Sequence, residues 1–361
     1  MDYDWETFDA KGYCVLFRAR YTAMDSQNEG AGVFTAAYRV SDKVRVCTFL
    51  DYRASEKDSA GLKQGDTMPT VGAFAAYSHS GNATGLQAKA SAAYNSGRVT
   101  VTRLGSIADN TEAGLGKAGL NSYAVGAELG WGFAVGLSSD RTKINNDTAS
   151  NNDASLTGTA YVSWQATKRV FVDGLMGYGR MNFSSSRYDT NAASSITGSG
   201  SGAVFFGSVI ASYEQQMGAF KYAPYGGFNM LMGRLNAYIE AGDANGVLSY
   251  AAASVNSQGL ILGFRGQYDI AMVCGTLSPI ARVQFRHGTS GNVTQSVNYA
   301  ADASANYGLS ISGIEQNSIT SSIGLRALSK AGPSGQLEYL NNALMRGRQS
   351  NGLRGMLMIP F

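Results

Sequence analysis

The chain has 361 residues, a formal net charge of +3 and only 15% charged residues, where about a quarter is usual for a soluble globular domain. Glycine is abundant at 45 and proline scarce at 5, with 20 tyrosines and 15 phenylalanines, and charge this sparse and balanced leaves no footprint for nucleic acid. No run of about 18 apolar residues occurs, which excludes a helical membrane span. A large β-sandwich or an outer-membrane β-barrel remains.

In chain order, the opening MDYDWETFDAKGYC has neither a basic n-region nor an apolar h-region, so no signal peptide is visible. The expectation is either a soluble protein or a start that is not the biological one. Residues 13–53 and 70–95 then hold about five runs with a period of two. In KVRVCTFLDYR, Val44, Val46, Leu50 and Tyr52 oppose Lys43, Arg45, Asp51 and Arg53. SIADNTEAGLGKAGL (106–120) contains three glycines, a poor helix, and reads as a loop. SLTGTAYVSWQ sets Leu156, Ala160, Val162 and Trp164 against Thr157, Thr159, Ser163 and Gln165. QGLILGFRGQYDIA sets Leu260, Leu262, Phe264, Tyr268 and Ile270 against Arg265, Gln267 and Asp269, and IARVQFRHG sets Ala281, Val283 and Phe285 against Arg282, Gln284 and Arg286. The closing GLRGMLMIPF puts Leu353, Gly355, Leu357, Ile359 and Phe361 on one oily face, an alternation that continues to the last residue.

About 17 such runs can be counted. Their polar faces mix Gly, Ser, Thr and Gln with a few charges, as a crowded wet interior would, rather than the Lys and Glu of a face toward bulk water. Tyr13, Tyr21, Tyr94, Trp131, Trp164 and Tyr268 sit near the ends of apolar faces, where aromatic girdles form at a membrane boundary. Short joints at 41–43, 166–168 and 218–219 contrast with long ones at 143–154, 184–202 and 289–315, the asymmetry of periplasmic turns and surface loops. The fold class is therefore all-β, a transmembrane antiparallel up-and-down barrel of the outer membrane, its edges closed because no strand edge can face lipid unpaired.

Little points to catalysis. The two histidines, His79 and His287, form no metal or triad arrangement, and neither a G-x-S-x-G elbow nor H-E-x-x-H occurs. GSGSG at 198–202 precedes no helical pattern, so it is no phosphate loop. Cys14, Cys47 and Cys274 lack metal-ligand spacing and read as small strand residues. The reading is of a protein that is not an enzyme and needs no cofactor or metal. Asp173, Glu214, Arg265, Arg282 and Arg286 fall on inward faces. They would either keep a lumen hydrated around a transiting segment or pair across strands to fill it. Arg234 and Glu240, at the start of a loop, receive no role.

From about residue 119 the chain resembles the translocator domain of autotransporters, the type V secretion proteins. The resemblance lies in GLNSYAVGAELGWGFAVGLSSDRTKI (119–144), GTAYVSWQATKRVFVDGLMGYGRMNFSSSRYD (158–189), APYGGFNMLMGRLNAYIEAG (223–242), GTLSPIARVQFRHG (275–288) and the terminal Phe361. It implies a translocator of about twelve strands, in the outer membrane of a Gram-negative bacterium and surrounded by its lipid. Such a barrel exports or anchors an N-terminal passenger. Its C-terminal signal, here Leu357, Ile359 and Phe361, would be read by the barrel assembly machinery, with Pro360 a departure from the pattern. Residues 1–80 form a hairpin-rich segment, either early barrel strands or the end of a passenger, and 81–361 the barrel domain. The alternative is a self-standing barrel acting as a porin or adhesin, with a soluble all-β protein a more distant third.

Overall fold

A computed structural model describes residues 12–24, 27–59, 62–79, 87–104, 112–129, 133–144, 149–189, 193–242, 246–290, 293–311, 317–344 and 349–360. Trp131, Phe361 and residues 106–111 lie outside these. The first strands are β1 (Tyr13–Met24), β2 (Gln27–Ser41), β3 (Val44–Ser59), β4 (Leu62–Ser78), β5 (Gln87–Leu104), β6 (Glu112–Leu129), β7 (Phe133–Ile144), β8 (Ala149–Gln165) and β9 (Val170–Asp189). Next come β10 (Ser194–Tyr213), β11 (Gln215–Met217), β12 (Phe220–Leu235), β13 (Tyr238–Ile239), β14 (Leu248–Tyr250), β15 (Ala253–Tyr268) and β16 (Ile270–Met272). The last are β17 (Gly275–Ser290), β18 (Val293–Tyr299), β19 (Asp302–Ile311), β20 (Asn317–Ser329), β21 (Ser334–Leu344) and β22 (Gln349–Pro360).

Eighteen of these strands make one antiparallel sheet. Single residues, Glu214 and Asp269, interrupt β10/β11 and β15/β16, which pair with β12 and β17 as continuous staves. Counting each couple once leaves sixteen staves among the described residues. The ring closes where β1 pairs with β22, from Cys14 opposite Pro360 to Met24 opposite Ser350. Pro360 is tolerated at that strand end, where one missing donor costs little. An even stave number also places Tyr13 and Pro360 at one end, with the tight turns at 42–43, 166–169, 218–219 and 273–274. Gly218 takes φ 61°, the left-handed value such a turn needs.

The two faces follow the alternation. Phe17, Leu50, Val135, Leu156, Val162, Leu260, Leu262, Phe264, Val283, Leu353 and Leu357 stand exposed on the outer wall, where lipid rather than water would meet them. Trp164, Tyr13 and Tyr268 border this band toward the tight turns, and Tyr21 toward the opposite end. On the inner face glycines admit aromatic rings from neighbouring staves. Tyr225 lies over Gly263 and Phe183 over Gly200, each so close that a Cβ there would meet the ring below 2.5 Å.

The three long joints read from the sequence are shorter than expected. β7 runs to Ile144 and β8 starts at Ala149, so most of 143–154 is strand. Of 184–202, β9 takes residues up to Asp189 and β10 those from Ser194, and each is 20 residues long. Spanning takes only about 9–11, so these staves project far beyond the bilayer, where an outer face needs no apolar residues and ladder hydrogen bonds alone extend the strand. Part of 106–120 is likewise β6. The joint 289–315 contains β18 and β19, which with β13 and β14 form a separate four-stranded sheet in the order β13-β14-β18-β19.

Candidate functional site

Register sets what lines the lumen. Arg265 lies opposite Ala223 on β12 and Arg282 on β17, and Arg282 lies opposite Ser322 on β20. Arg286 pairs with Ile261 and Ser318, while Asp173 pairs with Ser163 and Ile210. Glu214, in the break after β10, reaches Arg265 in an ion pair. Arg265, Arg282 and Glu214 thus converge on one cavity of about 610 Å³ with Lys221, Arg326, Glu338 and Arg354. Asp173 and Arg286 are not among the residues lining it. Asp173 accepts a hydrogen bond from Ser163 at 2.6 Å.

Several lumenal charges are neutralised between neighbouring staves. Lys221 Nζ meets Asp269 Oδ2 at 2.7 Å, and Ser278 donates to Asp269 Oδ1 at 2.7 Å. Arg354 is held by the buried Glu338, and Arg20 by Glu29. Arg282, like Arg18, keeps a buried Nε without a hydrogen-bond partner, and neither Arg282 nor Arg326 joins an ion pair among the described residues. This sector of the lumen therefore keeps a surplus of donors facing its cavity. A second sector, near the tight turns of β1 to β4, sets an apolar cluster beside buried Arg45 and under Lys89, whose Nζ lies 4.9 Å from the Phe74 ring. Cys14, Ala37, Cys47 and Phe74 form a buried cluster packed by Phe49 and Met358. Sequence alternation put a polar face there, and nothing in the spacing of Cys14 and Cys47 announces that both thiols join one cluster across Ala37.

At the other end, the separate sheet is clamped to the rim. Glu240, buried, accepts two hydrogen bonds from Arg187 of β9, from Nε at 3.1 Å and Nη2 at 2.6 Å, and a third from the Leu248 amide at 2.9 Å. Arg187 Nη2 also donates to the Gly246 carbonyl at 2.6 Å. Beside the clamp, Tyr238 and Tyr250 stack at 4.5 Å, Phe183 meets Tyr238 edge-on at 5.1 Å, and Ile196 is wholly enclosed. A backbone bridge joins Thr197 to Ala241. Burial, then Tyr250 and Glu240, push the Tyr238 phenol up to about 12. Glu240, left without a role by sequence reading, is the keystone of this contact. Its partner lies 53 residues away, a separation no local pattern reveals. Arg234 instead stands exposed at the top of β12.

Residues 116–339 match the family model of the autotransporter β-domain. No curated protein sequence matches the chain. Among solved structures, the chain is similar to the translocator domain of the autotransporter NalP from Neisseria meningitidis, at 14% identity and TM-score 0.43, covering 99% of this chain and 91% of that one. It is also similar to the β-domain of the Bordetella autotransporter BrkA, at 11% and 0.39 over 98% and 100%. The transport unit of AIDA-I from Escherichia coli aligns at 12% and 0.31 over 98% and 90%.

Proposed function

The chain belongs to the autotransporter β-domain family, the outer-membrane barrels that export an N-terminal passenger to the surface of Gram-negative bacteria, and we propose that this passenger travels through the lumen of the sixteen-stave ring, with β1 to β4 as part of its wall. The supporting observation is chain direction. β1 sets out from the end that carries Pro360 and the tight turns, the periplasmic end of such a barrel. A segment joined to Tyr13 therefore starts at the periplasmic mouth, and the lumen is its protein-lined route outward. Sixteen staves are enough to leave an aqueous channel. The sector around Arg282 and Arg326 offers donors to passing carbonyls and carboxylates without an oily surface on which a chain would stall.

Leu357 and Ile359, with Phe361, serve in this reading as the C-terminal signal for the barrel assembly machinery. Leu357 stands on the outer wall beside the β1–β22 junction, opposite Phe17, where a partner at the closing strand would meet it. No nucleotide or cofactor enters the reading. Folding of the passenger outside supplies the direction, and the barrel itself performs no chemistry.

One experiment tests export. A signal peptide and an epitope are placed ahead of Met1, the chain is expressed in a Gram-negative host, and protease is added to intact cells. Loss of the epitope from membranes that hold a heat-modifiable barrel supports export. A folded barrel with the epitope shielded in the periplasm would replace it with a self-standing porin or adhesin. Thiol labelling tests the wall: Cys14 and Cys47, both buried, should resist reagent until unfolding while the exposed Cys274 reacts. Free labelling of Cys14 and Cys47 in the folded barrel would remove β1 and β3 from it.

A further inference from the structure

Among the described side chains, the outer wall carries its arginines on one side only. Arg98 on β5, Arg141 on β7, Arg180 on β9 and Arg234 on β12 are exposed, and each follows an outward apolar or aromatic run on its own stave. Arg141 comes after Val135 and Leu137, Arg180 after Met176 and Tyr178, and Arg234 after Met232. They therefore begin where the apolar band ends, on the side away from the tight turns, at the level of the outer leaflet's head groups. From β15 through β22 and on through β1 and β2, no outward lysine or arginine occurs among the described side chains. The arginines of these staves, among them Arg265, Arg282, Arg326, Arg354, Arg18 and Arg20, hold inward registers.

Register spaces the cations. Arg98 and Lys143 both pair with Gly119, and Arg180 and Arg234 both pair with Ala203. Two strand spacings separate each couple, about 10 Å. Between the rows the outward side chains are short and polar, among them Ser139, Asn152, Asn182 and Ser184, all exposed. Arg180 is pre-oriented, its Nε donating to the Tyr178 hydroxyl at 3.1 Å with the guanidinium 5.8 Å from that ring. No carboxylate forms an ion pair with these four arginines among the described residues.

We propose that this crescent is a docking surface for the phosphate groups of the outer leaflet's glycolipid, lipopolysaccharide. Guanidinium forks match phosphate oxygens bidentately, and the serine and asparagine hydroxyls and amides between them suit the adjoining sugars. The one-sided placement fixes which flank of the barrel binds the glycolipid and leaves the β1–β22 flank clear.

The test uses the folded full chain in detergent, with binding read by native mass spectrometry against lipopolysaccharide, dephosphorylated lipopolysaccharide and phosphatidylglycerol. Heat-modifiability verifies that each variant is a folded barrel. The parent should retain lipopolysaccharide, and lose it when the phosphates are removed. Cations near an anionic surface contribute about fivefold each, so R98S/R141S/R180S/R234S should weaken binding by at least about a hundredfold. Should that variant fail to fold, R141S/R234S should weaken binding by about 25-fold. The charge-keeping R141K/R234K should retain most of it. A periplasmic-turn variant, K168S/K330S, should bind as the parent does. Parent-like binding by the arginine-to-serine variants, an equal loss from K168S/K330S, or equal affinity for phosphatidylglycerol would each overturn the assignment.

Discussion

Glu240→Ala should release the surface sheet while leaving the barrel intact. Glu240 is 5% exposed and Arg187 36% exposed, and breaking a fully buried pair costs about 3–5 kcal/mol. Exposure of the arginine reduces that to about 2 kcal/mol. The Leu248 amide also loses its acceptor, which adds about 1 kcal/mol. Together these should raise local opening by about a hundredfold, read as faster amide exchange in β14 and β18, whose ladder joins Leu248 to Tyr299 and Tyr250 to Val297. Exchange in β20 and β21, part of the barrel wall, should not change. Glu240→Gln keeps an acceptor for Leu248 and should show about half the effect in free energy. Unchanged exchange at β14 in the alanine variant would refute the clamp, and equal acceleration in β20 would mean that the sheet and the barrel open as one unit.

Three further outcomes are expected. Tyr238 is held up to about 12 from an ordinary 10, so an undocked Tyr238 ionises first as pH rises between these values. The docked sheet should be stable below pH 10 and lost progressively above it, with tyrosinate absorbance reporting a late-titrating phenol that vanishes in Tyr238→Phe. Deleting Phe361, or replacing Leu357 with Ser, should lower the amount of heat-modifiable barrel in the outer membrane without changing synthesis; an unchanged yield would remove the assembly-signal reading. Glu338→Gln should leave Arg354 unscreened opposite Arg20 and lower the detergent-denaturation temperature of the barrel, and Arg354→Gln added to it should restore part of the loss. A double variant weaker than the single would show that shape rather than charge balance governs this position.

How much of this was legible depends on what each residue faces. β15 was readable because Leu260, Leu262 and Phe264 meet one solvent and Arg265 and Gln267 another, so a strict period of two is required there. Above the bilayer both faces of a stave meet water. There 184–202, with its serines and glycines, carries no alternation and reads as loop, although its backbone is paired up to Asp189 and again from Ser194 across β9 and β10. The Arg187–Glu240 clamp was invisible for a different reason: it joins two elements through a loop sheet whose strands are two to ten residues long, too short for a periodic signal. The apolar pocket of Cys14, Cys47 and Phe74 escaped because lumen-facing positions are read as polar by default, and small residues such as Cys and Ala give that rule little to contradict it.

The ring's closure shows how the same chemistry serves two ends. Across β1–β22, Arg20 faces Arg354 and Arg18 faces Met356, so like charges meet at the junction, an arrangement that disfavours pairing by itself. Each arginine is instead held from its own side, Arg20 by Glu29 on β2 and Arg354 by Glu338 on β21. Neither ion pair crosses the junction. Cohesion there rests on the backbone ladder and on outward contacts such as Phe17 beside Leu357, while the carboxylates set the charge that the last strand meets as it arrives. Glu29 is shared, because Arg53 lies 3.7 Å from the oxygen that holds Arg20, so the β1 edge keeps a positive surplus and joins a β22 edge that Glu338 balances. Loss of Glu338 would set a second positive edge against the first, which is why this carboxylate, more than either arginine of the junction, governs closure.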